Sequence, residues 1–223
     1  MKISYAVARS LLRRGSSGAL GTQSVCAPGY PFVSSLPYVA DGAGRPVFLL
    51  SGLAEHTRNL LADPHASLLV TEGEGSLLER TRLTVLGPVE PVVLDEVSCA
   101  RYLRYSPESA DYLALGDFRF FRLEPQRARF IGGFGQMGWM DAAIPVATLD
   151  PAAEATVVES LARLAPVGVA VLGLDFEGLD VRIAGVRRRL EVPPTDGSVA
   201  ALHDAAATLL LQTGEAPPAA DQA

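Results

Sequence analysis

The side chains able to do chemistry are few and scattered along the 223-residue chain. Its three histidines are His56, His65 and His203, and its two cysteines are Cys26 and Cys99. Taken alone, His56, set between Glu55 and Thr57 at the start of a short helical pattern, reads as an exposed polar residue. His65 follows Pro64 at a loop-to-strand junction and reads as an ordinary surface or half-buried histidine. His203 lies in the last helical segment, in a solvated or interfacial role. The cysteines sit far apart and in no metal-ligand spacing, so no metal site is expected and both read as reduced, space-filling thiols. No nucleophile–base–acid arrangement and no pair of catalytic carboxylates stands out. Gly132-Gly133-Phe134-Gly135 is not a dinucleotide fingerprint, because the strand-to-helix context and the full spacing are missing. It reads as a permissive loop near a pocket. Trp139 and Met140, just beyond it, suit either covering a ring system or filling a barrel mouth or domain seam. Arg187-Arg188-Arg189 reads as a solvated turn or edge strand.

Composition narrows the classes. A formal net charge of −6 argues against a general electrostatic grip on nucleic acid. Arg9 interrupts the first apolar run too early for a secretory signal. No stretch holds the ~18 uncharged apolar residues of a membrane-spanning helix. The expectation is a cytoplasmic protein with no membrane partner.

The elements that must position these groups follow from periodicity. A first helix, capped by Ser4, carries Ala8, Leu11 and Leu12 at helical spacing and stops at Gly15. Strands are predicted at Ala19–Val25, Phe32–Val39 and Pro46–Ser51, with the Asp41–Gly44 hairpin loop between the last two. A short helix over Ala54–Ala62 breaks at Asp63-Pro64. Strands at Ala66–Thr71 and Thr81–Glu90, separated by the Gly73–Ser76 loop, precede a helix over Leu94–Tyr105. Asp117–Glu124 and Arg127–Gly132 read as a closing strand pair. Many short strands with few helices point to a barrel or sandwich. After Pro145 the pattern changes to α-β-β-β-α: a helix with Pro151 at its first position, strands at Val167–Phe176, Leu179–Ala184 and Val186–Val192, and a helix over Ser198–Gln212. The expected organisation is a domain over 1–144, a small α/β domain over 145–214, and a frayed tail over 215–223.

The stretch Phe32–Val70 carries the most information. It runs Phe-Val-Ser-Ser-Leu-Pro-Tyr-Val, a hairpin, Pro-Val-Phe-Leu-Leu-Ser-Gly-Leu-Ala-Glu-His-Thr-Arg-Asn-Leu, then Asp-Pro-His-Ala-Ser-Leu-Leu-Val. With Asp117–Leu123 and Arg129–Gly135, it resembles the pyridoxamine 5′-phosphate oxidase-like, FMN-binding split-barrel superfamily, in its haem-utilisation (HugZ/HutZ-like) branch with a degenerate C-terminal α/β domain. The resemblance covers about Ala6 to Met140 well and Leu149 to Gln212 more loosely. It implies an α+β fold, a split β-barrel followed by the small α-β-β-β-α domain, in a homodimer with its cofactor site at the interface.

For the ligand, the resemblance implies FMN. Its phosphate would meet Ser51, His56, Thr57 and Arg58, with Arg82 adding charge from a neighbouring strand and Ser34 and Ser35 on the strand that passes the flavin ring. Free N–H donors in the first turn of a helix suit such a cradle. Two departures are plain. Many flavin-binding members carry Lys or Arg where His56 stands, and the loop after Gly135 lacks the histidine by which haem-degrading members hold iron. Three functions therefore compete: an FMN-dependent oxidoreductase acting on a small molecule, a haem-binding or haem-degrading protein, and a non-enzymatic regulatory interaction protein. The absence of a catalytic constellation agrees with the first two, in which the cofactor carries the chemistry.

Overall fold

The computed structural model describes residues 5–73, 76, 78, 80–132, 136–141 and 148–214. The Ser4 cap, much of the Gly73–Ser76 loop, Gly133–Gly135 and the 215–223 tail lie outside the described residues. The chain divides into two compact units, Met1–Val146 and Ala147–Ala223.

In the first unit, α1 (Tyr5–Arg14) buries Ala8, Leu11 and Leu12 on one face, as the spacing predicts. Gly15 follows it, at a place only glycine fits, because a Cβ there would meet the Tyr38 hydroxyl at 2.2 Å. That hydroxyl donates to the Leu12 carbonyl at 2.7 Å and ties the helix end to the sheet. Strands β1 (Ser17–Gln23) and β2 (Pro31–Pro37) form a hairpin. The single strand expected over Phe32–Val39 is in fact two. After Pro37, which has no N–H to donate, the buried Tyr38 turns the chain into β3 (Val39–Ala40), which pairs with β4 (Pro46–Ser51). Helix α2 (Glu55–Ala62) follows.

β5 (His65–Glu72) pairs with the long β6 (Thr81–Pro91). α3 (Glu96–Tyr105) is capped by the Asp95 side chain, which accepts from Ser98 N. It leads into a further short helix, α4 (Ser109–Ala114). β7 (Phe118–Leu123), β8 (Arg127–Ile131) and β9 (Met137–Asp141) complete the sheet. β9 lies where the sequence reads as a Gly-rich loop, and no sequence signal marks α4.

The sheet runs β2-β1-β5-β6-β7-β4-β3, with β8 joined to β6 and β9 to β8. The split occurs along β6. Its Arg82–Leu86 half pairs with β8, and its Val89–Pro91 half pairs with β7. Between them the β7–β8 connection crosses Gly87, where a Cβ would meet the Glu124 carbonyl oxygen at 1.9 Å. Only glycine permits that approach. Leu20, Phe48, Leu68, Val85, Phe121 and Leu123 form the buried centre. This curled antiparallel sheet with its flanking helices is a split barrel in an α+β chain.

The second unit is built from α5 (Pro151–Leu164), β10 (Val169–Asp175), β11 (Gly178–Ile183), β12 (Val186–Glu191) and α6 (Val199–Gln212), with β11 central in its sheet. Asp150 caps α5 by accepting from Ala152 N and Ala153 N, and Ser198 caps α6. Leu161, Leu179, Val181, Leu202 and Leu210 form its own core. Arg189 departs from the solvated reading. Its side chain is 2 % exposed and pairs with Asp175 at 2.7 Å and Asp180 at 3.1 Å.

Candidate functional site

Two surfaces compete as the site, one on each face of the first sheet. Strand pleating puts alternate residues on opposite faces. On the inner face, Ser34 Oγ lies 3.2 Å from His56 Nδ1. His56 is in the first turn of α2, and burial holds its imidazole below the ordinary histidine value. Thr57, fully enclosed, donates from Oγ1 to the Ser51 carbonyl at 2.7 Å. The Ser51 hydroxyl donates to Asp117 Oδ2 at 2.6 Å and accepts from Leu53 N at 3.1 Å. Asn59 anchors the helix, donating to Thr22 Oγ1 at 3.0 Å and accepting from Val25 N at 3.0 Å. The structure thus brings Ser34 to His56 and Ser51 to Thr57, with Arg58 exposed on the same helix.

Ser35 and Arg82 face the other way. Ser35 is exposed and sits opposite Ala19, while Arg82 sits opposite Thr71 on one side and Ile131 on the other. Both stand on the open face of the sheet, away from His56.

That open face carries Trp139, one reading of which is to cover a ring system, together with residues to which the sequence assigns no site role. In register across five strands run Ala19, Leu69, Thr84, Arg129 and Trp139. Beside them run Gly21, Ser67, Leu86 and Arg127. Trp139 is half exposed, and the Arg127 and Arg129 guanidinium carbons lie 4.9 and 5.8 Å from its ring centroid. Met140, the next residue, turns inward into the core. Adjoining this ledge is an open groove of about 410 Å³, lined in part by Gly21, His65, Ser67, Leu86, Gln126 and Arg127. Val33, Leu69 and Met137 are exposed apolar residues on the same face. The sequence signals for this ledge are Trp139, whose place suits covering a ring system, and the alternation of Arg127, Arg129 and Ile131 with Ala128 and Phe130.

The arrangement defines a split-barrel protein with an open, cationic and aromatic sheet face. Residues 2–145 match the family described as CREG, beta-barrel, and the chain belongs to that family. Over 121 residues it is 38% identical to the heme oxygenase HutZ of Vibrio cholerae, which covers 51% of this chain and 68% of HutZ. It is 34% identical over 129 residues to the chloroplastic non-canonical heme oxygenase HOZ of Arabidopsis thaliana, covering 56% of this chain but only 39% of HOZ. Among solved structures, protein Atu2129 of Agrobacterium tumefaciens, of unknown function, superposes with a TM-score of 0.73 at 26% identity, over 92% of this chain and 93% of its own. A heme-binding protein from Mycobacterium smegmatis superposes at 0.59 with 28% identity, over 96% and 99%. No helix among the described residues is long and apolar enough to cross a membrane.

Proposed function

We propose that this chain binds haem on the open face of its sheet, in a homodimer whose two open faces meet there. The observation that carries the reading is the groove beside Arg127, Arg129 and Trp139. A large planar apolar ligand with carboxylates at its edge needs an apolar floor, an aromatic flank and guanidinium partners. The haem functions named for HutZ, for HOZ and for the mycobacterial protein point the same way. When bound, haem would supply the redox chemistry at its iron. The chain would bind, orient and partly desolvate it. Exposed Val33, Leu69 and Met137 support the dimer, since a second copy would cover them. The free thiols Cys26 and Cys99 fit a reducing cytoplasmic setting.

FMN draws less support. At the place where its phosphate would sit, the Ser51 hydroxyl is already donated to a carboxylate, that of Asp117. Burial favours a neutral His56, and Thr57 is committed to a backbone carbonyl. A phosphate dianion there would meet the negative charge of Asp117 and hydroxyls already committed to other acceptors.

The test is a pair of titrations, haemin and FMN, on the purified chain. Saturable haemin binding with a Soret shift, weakened by Arg127→Ala and Arg129→Ala, is expected. FMN saturation without haemin uptake would restore the flavoprotein reading, and uptake of neither would favour an interaction protein.

A further inference from the structure

We propose that His65 is the axial ligand of haem iron in this chain, through Nε2, with Asp63 as its hydrogen-bonded partner. The proposal rests on the haem reading above and adds the iron ligand, which the loop after Gly135 does not supply as a histidine.

The three histidines are not equivalent. His203 has both ring nitrogens occupied, Nε2 with Ser160 Oγ and Nδ1 with Asp204 Oδ1, each at 3.1 Å. His56 is half-buried on the inner face, against Ser34. His65 alone among them lines the groove. Its side chain is 78% exposed, so iron can approach it. The pleat of β5 puts it on the face of Ser67 and Leu69, and pairing with Pro88 fixes its backbone.

Its tautomer is set as a metal ligand requires. Nδ1 lies 2.7 Å from Asp63 Oδ1, which also accepts from the His65 backbone N–H at 3.0 Å. A carboxylate is an acceptor, so it takes the Nδ1–H and leaves the Nε2 lone pair outward. Nε2 has no hydrogen-bond partner among the described residues. Carboxylate-to-histidine contacts of this kind orient metal-binding imidazoles and raise their basicity. The ligation itself is an exchange. The Nε2 lone pair would replace water or chloride on the haemin iron, and the Nδ1 proton would stay on the ring, donated in a hydrogen bond to Asp63 Oδ1.

The surroundings suit the rest of the macrocycle. Gly21 and Leu86 give a low apolar floor beside Ser67, and a Cβ on Gly21 would already meet Ser67 Oγ at 2.8 Å. Arg127 lies two strands from β5, about 10 Å across the sheet, where a guanidinium can meet a peripheral carboxylate.

The test is haemin titration of the full chain and of His65→Ala, Asp63→Asn, His56→Ala and His203→Ala, read by the Soret band and by the iron–histidine stretch of the ferrous complex in resonance Raman. The wild-type chain, His56→Ala and His203→Ala should show the stretch. His65→Ala should lose it and regain an imidazole-ligated spectrum when free imidazole is added, which separates a missing ligand from a misfolded chain. Asp63→Asn should lower the stretching frequency and weaken haemin binding by about 10–100-fold. A haem complex whose stretch survives His65→Ala, or is lost with His56 or His203 instead, overturns the assignment while leaving haem binding intact. A wild-type chain that takes up no haemin overturns the haem reading and the ligand with it.

Discussion

Replacing Arg189 by Met should strongly destabilise the second unit while leaving the barrel intact. Arg189 reaches Asp175 with Nη2 at 2.7 and 2.9 Å and Asp180 with Nη1 at 3.1 Å. The three side chains are only 2, 6 and 3% exposed. Burial by itself opposes the guanidinium charge, but Asp180 and Asp175 more than offset it and hold its proton more tightly than in an ordinary arginine. Gly178 makes room, since a Cβ there would meet the Arg189 guanidinium carbon at 2.6 Å. Arg189→Met removes the cation that neutralises two buried carboxylates, although Asp175 keeps the Glu177 and Gly178 N–H donors. Breaking a buried pair from one side costs about 3–5 kcal/mol. In a unit of this size each kcal/mol moves the melting midpoint by about 4–8 °C, so the fall should be at least about 12 °C. The assay is thermal unfolding combined with hydrogen exchange resolved to β10–β12, because the single tryptophan, Trp139, reports on the other unit. A fall of less than about 4 °C, equivalent to under ~1 kcal/mol, with protection retained in β10–β12, would refute the reasoning.

Two further predictions concern the first unit. Burial holds His56 below the ordinary histidine value, so the unfolded chain takes up its proton first as pH falls. The stability this contributes is complete above that value and is lost as pH drops through the folded one. His56→Gln should therefore flatten the decline in urea midpoint between about pH 7 and 5, and an unchanged slope would contradict the assignment. Gly87→Ala should cost about 3 kcal/mol, because the added Cβ meets backbone at Glu124 rather than a yielding side chain. An unchanged urea midpoint would show that the β7–β8 crossing can move aside.

Local signals made most elements readable in advance. Asp150-Pro151 and Ser198 mark helix starts in the second unit, and Glu177-Gly178 marks its first hairpin. What escaped depends on distant partners. β9 follows a Gly-rich stretch, and its strand character comes from pairing with β8, Met137 opposite Ile131 and Trp139 opposite Arg129. α4 is a single short helix, supported by the Ser106–Ser109 contact. Within the arginine triplet, Arg189 differs from its neighbours because it sits directly opposite Asp180 on β11. The Ser34–His56 pair lay within the stretch read as a site. The carboxylate facing Ser51 comes from Asp117, 66 positions away, where no local pattern points to it. The groove was hidden for the same reason, since its lining comes from several strands that meet only in the folded sheet.

The most direct test of haem binding on the open face is the emission of Trp139 during haemin titration. It is the single tryptophan, half exposed, and stacked against Arg127 at the edge of the groove. Haem seated there should quench it saturably, in step with the Soret change, and Arg127→Ala should shift both curves together to higher haemin. A Soret change that saturates while Trp139 emission stays constant would place haem elsewhere and contradict the account.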